Sequence, residues 1–253
     1  MRVILIDRSP VLCHHWSTQI KKFLQAKCPL EFQGRSVSLE VCNKDIGELQ
    51  VTGTTAVVVT PGNSAGLMGG GIDMAIRDCF VGVNSSSETV QNYVLNKLQY
   101  YKPPGSPTVI HFDDEMIRGS IALESWNCRQ LIHLPTMRVP EKIRETSKEF
   151  HKSLFDWTWN ALSVLTNKVD ALVIPGLGTG FGAAPLDICA NTMVAAIAIH
   201  YAKDFTPMEK TVLIYKFLGE DYRKLDIPTL LDHNLDYDPS QGLDQLFAHT
   251  TTQ

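Results

Sequence analysis

Apolar residues follow two alternating rhythms along the chain. Short runs rich in β-branched residues recur at 3–6, 55–60, 108–112, 130–134 and 171–174. Each is bounded by turn residues, which predicts buried strands. Val37-Ser38-Leu39-Glu40-Val41 alternates instead, as a strand with one solvated face does. Between these runs the apolar positions return at helical spacing. Leu12, Trp16, Ile20, Phe23 and Leu24 predict a helix over 10–27, opened by Pro10 and stopped by Pro29. Ile72, Ile76 and Phe80 mark a second helical face, and Val90, Val94, Leu98 and Tyr101 a third, which Ser85-x-x-Glu88 opens as a capping box. Ile143, Phe150, Leu154, Trp157, Ala161 and Leu165 predict a long amphipathic helix, and Leu186, Ala190, Met193, Ile197 and Tyr201 another. Residues 211–217 read as a last strand, and Asp113-Asp114-Glu115 as a solvated acidic turn. Beyond Leu225 the pattern weakens: Pro228, Pro239 and Gly242 interrupt it, and 249–253 read as a frayed end. Strands alternating with helices predict an α/β fold, a three-layer α/β/α sandwich around a mixed central sheet, in one domain over 1–253.

Composition narrows the function more than the fold. The 253 residues are 44% hydrophobic and 20% charged, ordinary for a globular protein with a full core. A net charge of −4 argues against sequence-independent binding of nucleic acid, which requires a basic face. Cys13, Cys28, Cys42, Cys79, Cys128 and Cys189 are scattered without a C-x-x-C pair, so no disulfide framework is signalled. The eight histidines show no H-x-x-x-H spacing, and a metal site is not expected. No stretch has the length of a membrane span, and the first residues do not resemble a signal peptide. The expected location is therefore cytoplasmic or nuclear. His133, on an apolar strand, is expected to be a hydrogen-bonded core residue.

The candidate chemistry lies in two glycine-rich loops, each between a strand and a helix. The first runs Thr60-Pro61-Gly62-Asn63-Ser64-Ala65-Gly66-Leu67-Met68-Gly69-Gly70-Gly71-Ile72-Asp73. The second runs Pro175-Gly176-Leu177-Gly178-Thr179-Gly180-Phe181-Gly182. Glycine lets backbone N–H groups approach a ligand closely, and a helix N-terminus favours an anion. A phosphate-bearing small molecule is the ligand class this implies. Gly178-x-Gly180-x-x-Ala183 also fits a dinucleotide fingerprint, but the strand read after it ends in Phe217-Leu218 rather than in an acid. Neither loop is a Walker motif.

Lys44-Asp45-Ile46, the first loop with Asp73 ten residues after Asn63, and the second loop together resemble the macro domain family. The resemblance covers about residues 37–222, with an N-terminal strand and helix and a C-terminal segment as extensions. More narrowly, the chain looks like fungal proteins assigned as ADP-ribose 1''-phosphate phosphatases, which act on a by-product of tRNA splicing. The resemblance implies that Asp45 takes the adenine amino group and Ile46 lies beside the base. Asn63 would hold the distal ribose, and Gly69, Gly70 and Gly71 would approach it and any 1''-phosphate. Gly176, Leu177, Gly178, Thr179 and Gly180 would cradle the diphosphate, Phe181 would pack on the distal ribose, and Phe217 would stack on adenine. Asn63 and Asp73 would be the catalytic pair, Asp73 orienting or activating water. No cofactor or metal is implied, and the partner is a small molecule. The family often reads Val-Asn-Ala-Ala-Asn where this chain has Val59-Thr60-Pro61-Gly62-Asn63. The second loop is about one residue short and lacks the histidine some phosphatase members carry there.

Three functions lead among those compatible with these residues, with a Rossmann-type oxidoreductase a distant fourth. The first is a phosphatase releasing ADP-ribose and phosphate from ADP-ribose 1''-phosphate. The second is a module that binds ADP-ribose without catalysis, and the third a hydrolase of ADP-ribosylated protein.

Overall fold

The computed structural model describes residues 1–51, 53–143, 147–225 and 242–248. Six strands form a mixed sheet: β1 (Arg2–Asp7), β4 (Ser38–Asn43), β5 (Ala56–Thr60), β6 (Thr108–His111), β7 (Gln130–His133) and β8 (Ala171–Pro175). A two-stranded hairpin, β2 (Glu31–Phe32) with β3 (Arg35–Ser36), stands apart. The sheet order is β4-β1-β8-β5-β7-β6. Every pairing is parallel except β6 with β7. β5 and β8 are buried at all five positions, as a parallel strand covered on both faces must be. β1 lies between β4 and β8, inside the sheet rather than at its edge, because its Val3-Ile4-Leu5-Ile6 core is apolar on both faces.

Alternation within the strands divides the core in two. Val3, Leu5, Val57, Val59, Leu172 and Ile174 point to one face, and Ile4, Ile6, Val58 and Val173 to the other. The first face is covered by α1 (Pro10–Gln25), α6 (Ser147–Ser163) and α7 (Leu186–Tyr201). The second is covered by α2 (Gly71–Cys79), α3 (Ser87–Leu98) and α5 (Ile121–Trp126). α7 is apolar all round and buries eleven of its 16 residues, because it packs between α1 and α6 as well as on the sheet. The three-layer α/β/α sandwich with a mixed sheet is thus the fold the sequence predicts.

Several local expectations change. Residues 211–217 are not a strand but lie within α8 (Pro207–Leu218). Thr206 caps that helix, Pro207 opens it, and Glu209 returns its carboxylate to the Thr206 N–H at 2.7 Å. This complete capping box outweighs the β-branched content of the segment. The box expected at Ser85 is absent: Ser86 is the N-cap of α3 and accepts from Thr89 N, while the Ser85 hydroxyl accepts from Gly82 N at 2.9 Å. The acidic turn at 113–115 opens the one-turn helix α4 (Asp114–Ile117), with Asp114 paired to Arg129. Ile143 and Leu165 flank α6 rather than extending it. Pro228, Pro239 and residues 249–253 lie outside the described residues.

Candidate functional site

Parallel pairing gathers the carboxyl ends of β4, β1, β8, β5 and β7 at one end of the sheet, the place where open α/β sheets hold ligands. Both glycine loops leave from there. The first is tied down by hydrogen bonds. Asn63 Nδ2 donates to the Leu67 carbonyl at 2.7 Å, and its Oδ1 accepts from Ala65 N and Leu67 N. Gln91 on α3 bridges Met68 N and the Gly66 carbonyl. The chain after β7 then zips onto the loop, Thr136 N donating to the Gly62 carbonyl and Ser64 N to that of Met137, both at 2.9 Å. Gly70 is the N-cap of α2 and offers no side-chain cap, so the leading N–H groups of that helix stay open to a ligand. Gly71, at φ +61°, makes the bend that only glycine takes without strain.

A cleft of about 640 Å³ separates the two loops. Gly69, Gly70, Gly71, Asn63 and Asp73 form one wall, and Gly176, Gly178, Gly180 and Phe181 the other. The exposed Phe181 ring faces Gly70, 3.7 Å from where a Cβ on that glycine would be. The cleft continues past Gly71, Ile72, Gly176 and Gly180 into a hollow of about 580 Å³. There Asp45, Ile46 and Thr179 line the wall with Asp7, Arg8 and Lys44. Asp45 Oδ1 accepts from Gly47 N, and its Oδ2 lies 3.5 Å from Arg8 Nη1. The predicted site residues therefore converge from three loops, with two exceptions. Leu177 is fully buried, its side chain belonging to the core cluster on the α1, α6 and α7 side of the sheet. Phe217 is fully buried in α8 against His151 and Phe155, since the strand that would have carried it to the hollow is a helix.

Asp73 is the carboxylic acid that lines the cleft. It sits in the first turn of α2, and its Oδ1 accepts a 2.5 Å hydrogen bond from the Thr60 hydroxyl at the end of β5. Burial pushes its carboxyl up to about 6, against the pull of that hydrogen bond. Behind it His133, wholly buried at the end of β7, has Nε2 3.2 Å from the Asn63 carbonyl oxygen. A carbonyl only accepts, so Nε2 carries the proton and Nδ1 is bare. His133 is thus the hydrogen-bonded core residue expected from its strand.

Sequence reasoning missed Thr60 as a partner of Asp73 and the 136–140 segment as a wall of the cleft. Strand adjacency would have shown the second, since β5 and β7 are neighbours whose carboxyl-end loops must meet. Arg138 of that segment makes no ion pair among the described residues. A further hollow of about 650 Å³ lies beyond Thr136, Met137 and Arg138, lined also by Asp156, Trp157 and Asn160. Among the described residues no cluster of His, Cys, Asp or Glu could hold a metal ion, and no helix is long and apolar enough to cross a membrane.

Comparison with known proteins gives the following. The model of a family described as Macro-like domain matches residues 1–235. An uncharacterised protein of Aquifex aeolicus (strain VF5) is 28% identical over 167 residues, 62% of this chain and 80% of that one. A mutant Oceanobacillus iheyensis macrodomain solved with ADPR is 20% identical, covering 61% of this chain and 73% of its own, with a TM-score of 0.44. The same macrodomain with ADP is 19% identical, covering 73% and 90%, with a TM-score of 0.45.

Proposed function

Since this chain belongs to the Macro-like domain family, we propose that its cleft binds ADP-ribose and that it hydrolyses ADP-ribose 1''-phosphate to ADP-ribose and phosphate. One observation carries the reading: two glycine loops face each other across a single cleft, with the half-buried Asp73 carboxyl between them and raised to about 6. The hollow at Asp45 and Ile46 takes the adenine end, the second loop the diphosphate, and the Gly69–Gly71 wall the distal ribose and its phosphate. Backbone N–H groups at the start of α2 stabilise the non-bridging oxygens as charge builds on them. Asp73 accepts the proton of a water whose oxygen bonds to phosphorus while the ester oxygen leaves with the ribose. A carboxyl near 6 is ionised at neutral pH yet basic enough for that task. Asn63 spends its amide on the loop and keeps one Nδ2 hydrogen for a ribose hydroxyl. The test supplies ADP-ribose 1''-phosphate and follows phosphate, with Asp73→Ala beside the natural protein. Binding of ADP-ribose without phosphate release would leave a binding module.

The hollow beyond Thr136–Arg138 favours a second substrate. It lies past the distal end of the cleft and is polar, as an acceptor side chain and its peptide would require. We therefore propose hydrolysis of ADP-ribosylated protein as the alternative activity of the same pocket. Release of ADP-ribose from a mono-ADP-ribosylated protein, without phosphatase activity, would establish it.

A further inference from the structure

Of the described residues that line the cleft between the two glycine loops, only Asp73 and Arg138 are charged. Arg138 also lines the polar hollow beyond Thr136 and Met137, so it stands where the distal end of the cleft opens into that hollow. Its place beside the first loop is fixed by the two residues before it. Thr136 N donates to the Gly62 carbonyl at 2.9 Å and the Thr136 hydroxyl to that of Pro61 at 3.2 Å, while Ser64 N donates to the Met137 carbonyl at 2.9 Å. The backbone at Arg138 is thereby held next to the loop that carries Asn63, while its side chain is uncommitted. Arg138 is exposed and makes no hydrogen bond or ion pair among the described residues. It forms no ion pair with Asp73 across the cleft, where burial and the Thr60 bond set the carboxyl, and none with Asp156, the acid of α6 that lines the hollow. An arginine rooted this firmly and neutralised by nothing is a donor kept for a ligand.

We propose that Arg138 recognises the phosphomonoester of the ligand, its guanidinium closing on the oxygens of a 1''-phosphate that the start of α2 holds from the other side. The inference rests on the reading of the cleft as a site for ADP-ribose 1''-phosphate, and it names the residue that selects this compound over ADP-ribose. Charge balance requires such a residue. A phosphomonoester carries about −1.5 to −2 at neutral pH. Asp73, with its carboxyl near 6, adds most of another negative charge beside it. A helix N-terminus offers only about half a positive charge in return. The other cations are elsewhere or engaged. Arg77, one turn on in α2, is bound to Asp78 and the Met68 carbonyl. Arg8 and Lys44 stand around the hollow assigned to adenine, at the opposite end of the ligand. The second glycine loop brings no charge. A guanidinium is also the group whose planar fork matches two phosphate oxygens at once. ADP-ribose ends in a hydroxyl at this position and gives the fork no charge to hold.

The test reads a ratio of affinities and not turnover. Calorimetry compares ADP-ribose with ADP-ribose 1''-phosphate in the full chain carrying Asp73→Asn, which leaves the phosphate on its ligand. The comparison is repeated with Arg138→Gln and with Arg138→Lys added. With Arg138 in place the phosphorylated ligand should bind about tenfold or more tightly than ADP-ribose, the worth of one hydrogen-bonded pair with a charged group. Arg138→Gln should bring the ratio close to one. Arg138→Lys keeps the charge and loses the fork, so its ratio should fall between the two. The preference should also shrink as salt is raised, since the pair is exposed. A ratio unchanged by Arg138→Gln overturns the proposal. So does an equal loss of both affinities, which marks a merely structural role, and so does the lack of any preference while Arg138 is present. Failure of both ligands to bind overturns it together with the ADP-ribose reading. An Arg138-dependent preference in a chain that releases no phosphate once Asp73 is restored refutes the phosphatase reading alone.

Discussion

The hydroxyl of Thr60 donates a 2.5 Å hydrogen bond to Asp73 Oδ1, tying the last residue of a central strand to the first turn of the helix that carries the candidate base. The bond favours the ionised carboxyl, while burial works against it. Thr60→Val keeps the shape and removes the donor. The Asp73 midpoint is expected to rise by about one unit, the worth of one hydrogen bond to a charged group. The acid limb of phosphate release should move up with it, as a rate profile from pH 5 to 8 would show.

Asp73→Asn separates chemistry from stability. Phosphate release should fall by about 100-fold or more with the base gone, while ADP-ribose binding measured by calorimetry stays within a few-fold. The folded protein holds the Asp73 proton up to about 6, against 3.8 for an unperturbed group. Its folded pKa is raised, so its contribution to stability is full below 3.8 and lost as pH rises through 6. At pH 7 the variant escapes that loss and should be more stable by roughly 1–3 kcal/mol in denaturant melts. The advantage should disappear below pH 4.

Gly62→Ala drives a methyl group into the His133 ring. Displacing a packed ring typically costs about 1–3 kcal/mol, and the loss should appear in urea melts. The bond from Nε2 to the Asn63 carbonyl should loosen, and with it the first glycine loop. ADP-ribose affinity should therefore fall although residue 62 brings no side chain to the cleft it lines.

Phe181 and Phe217 should behave oppositely. Phe181 is 63% exposed beside Gly70, and Phe181→Ala should weaken ADP-ribose binding with little change in stability. Phe217 is wholly buried among the helices, and Phe217→Ala should cost about 3–5 kcal/mol while leaving the affinity of the folded fraction intact.

Buried histidines set the acid limit of the fold. Burial pushes His133 and His200 down to about 4 and lowers His151 as well. In the unfolded chain these groups take protons near 6.5, so stability is lost as pH falls from 6.5 toward 4, with Asp73 opposing part of the loss. His200→Gln should flatten that dependence by roughly 1–2 kcal/mol at pH 4.5, read from melts across the window.

The sheet and both loops were legible because buried parallel strands read as short apolar runs and glycine triplets stand out after them. The segment 211–217 misled, since Thr211, Val212, Ile214 and Tyr215 suit a strand. The contrary signal lay five residues upstream, in Thr206, Pro207 and Glu209. The error carried Phe217 with it, from the core to an imagined adenine contact. Asn63, Asp73, the glycines and Asp45 were singled out by the resemblance of their motifs to the macro domain family, and they do line one continuous depression. The Thr60–Asp73 bond was not, because it depends on how the first loop folds α2 back onto the end of β5, and the His133 environment was not, because it depends on which strands lie side by side.

The two loops hang from unequal anchors. The second leads into α7, which opens only when both its helical neighbours and the sheet release it. The first leads into α2, nine residues long and buried at only Ile76 and Cys79. In hydrogen-exchange terms, amides of α7 should report unfolding of the whole protein, whereas those of α2 open through a smaller, cheaper fluctuation. The wall that carries the base is then the one that breathes, and the pace at which ligand enters and leaves is set on that side of the cleft.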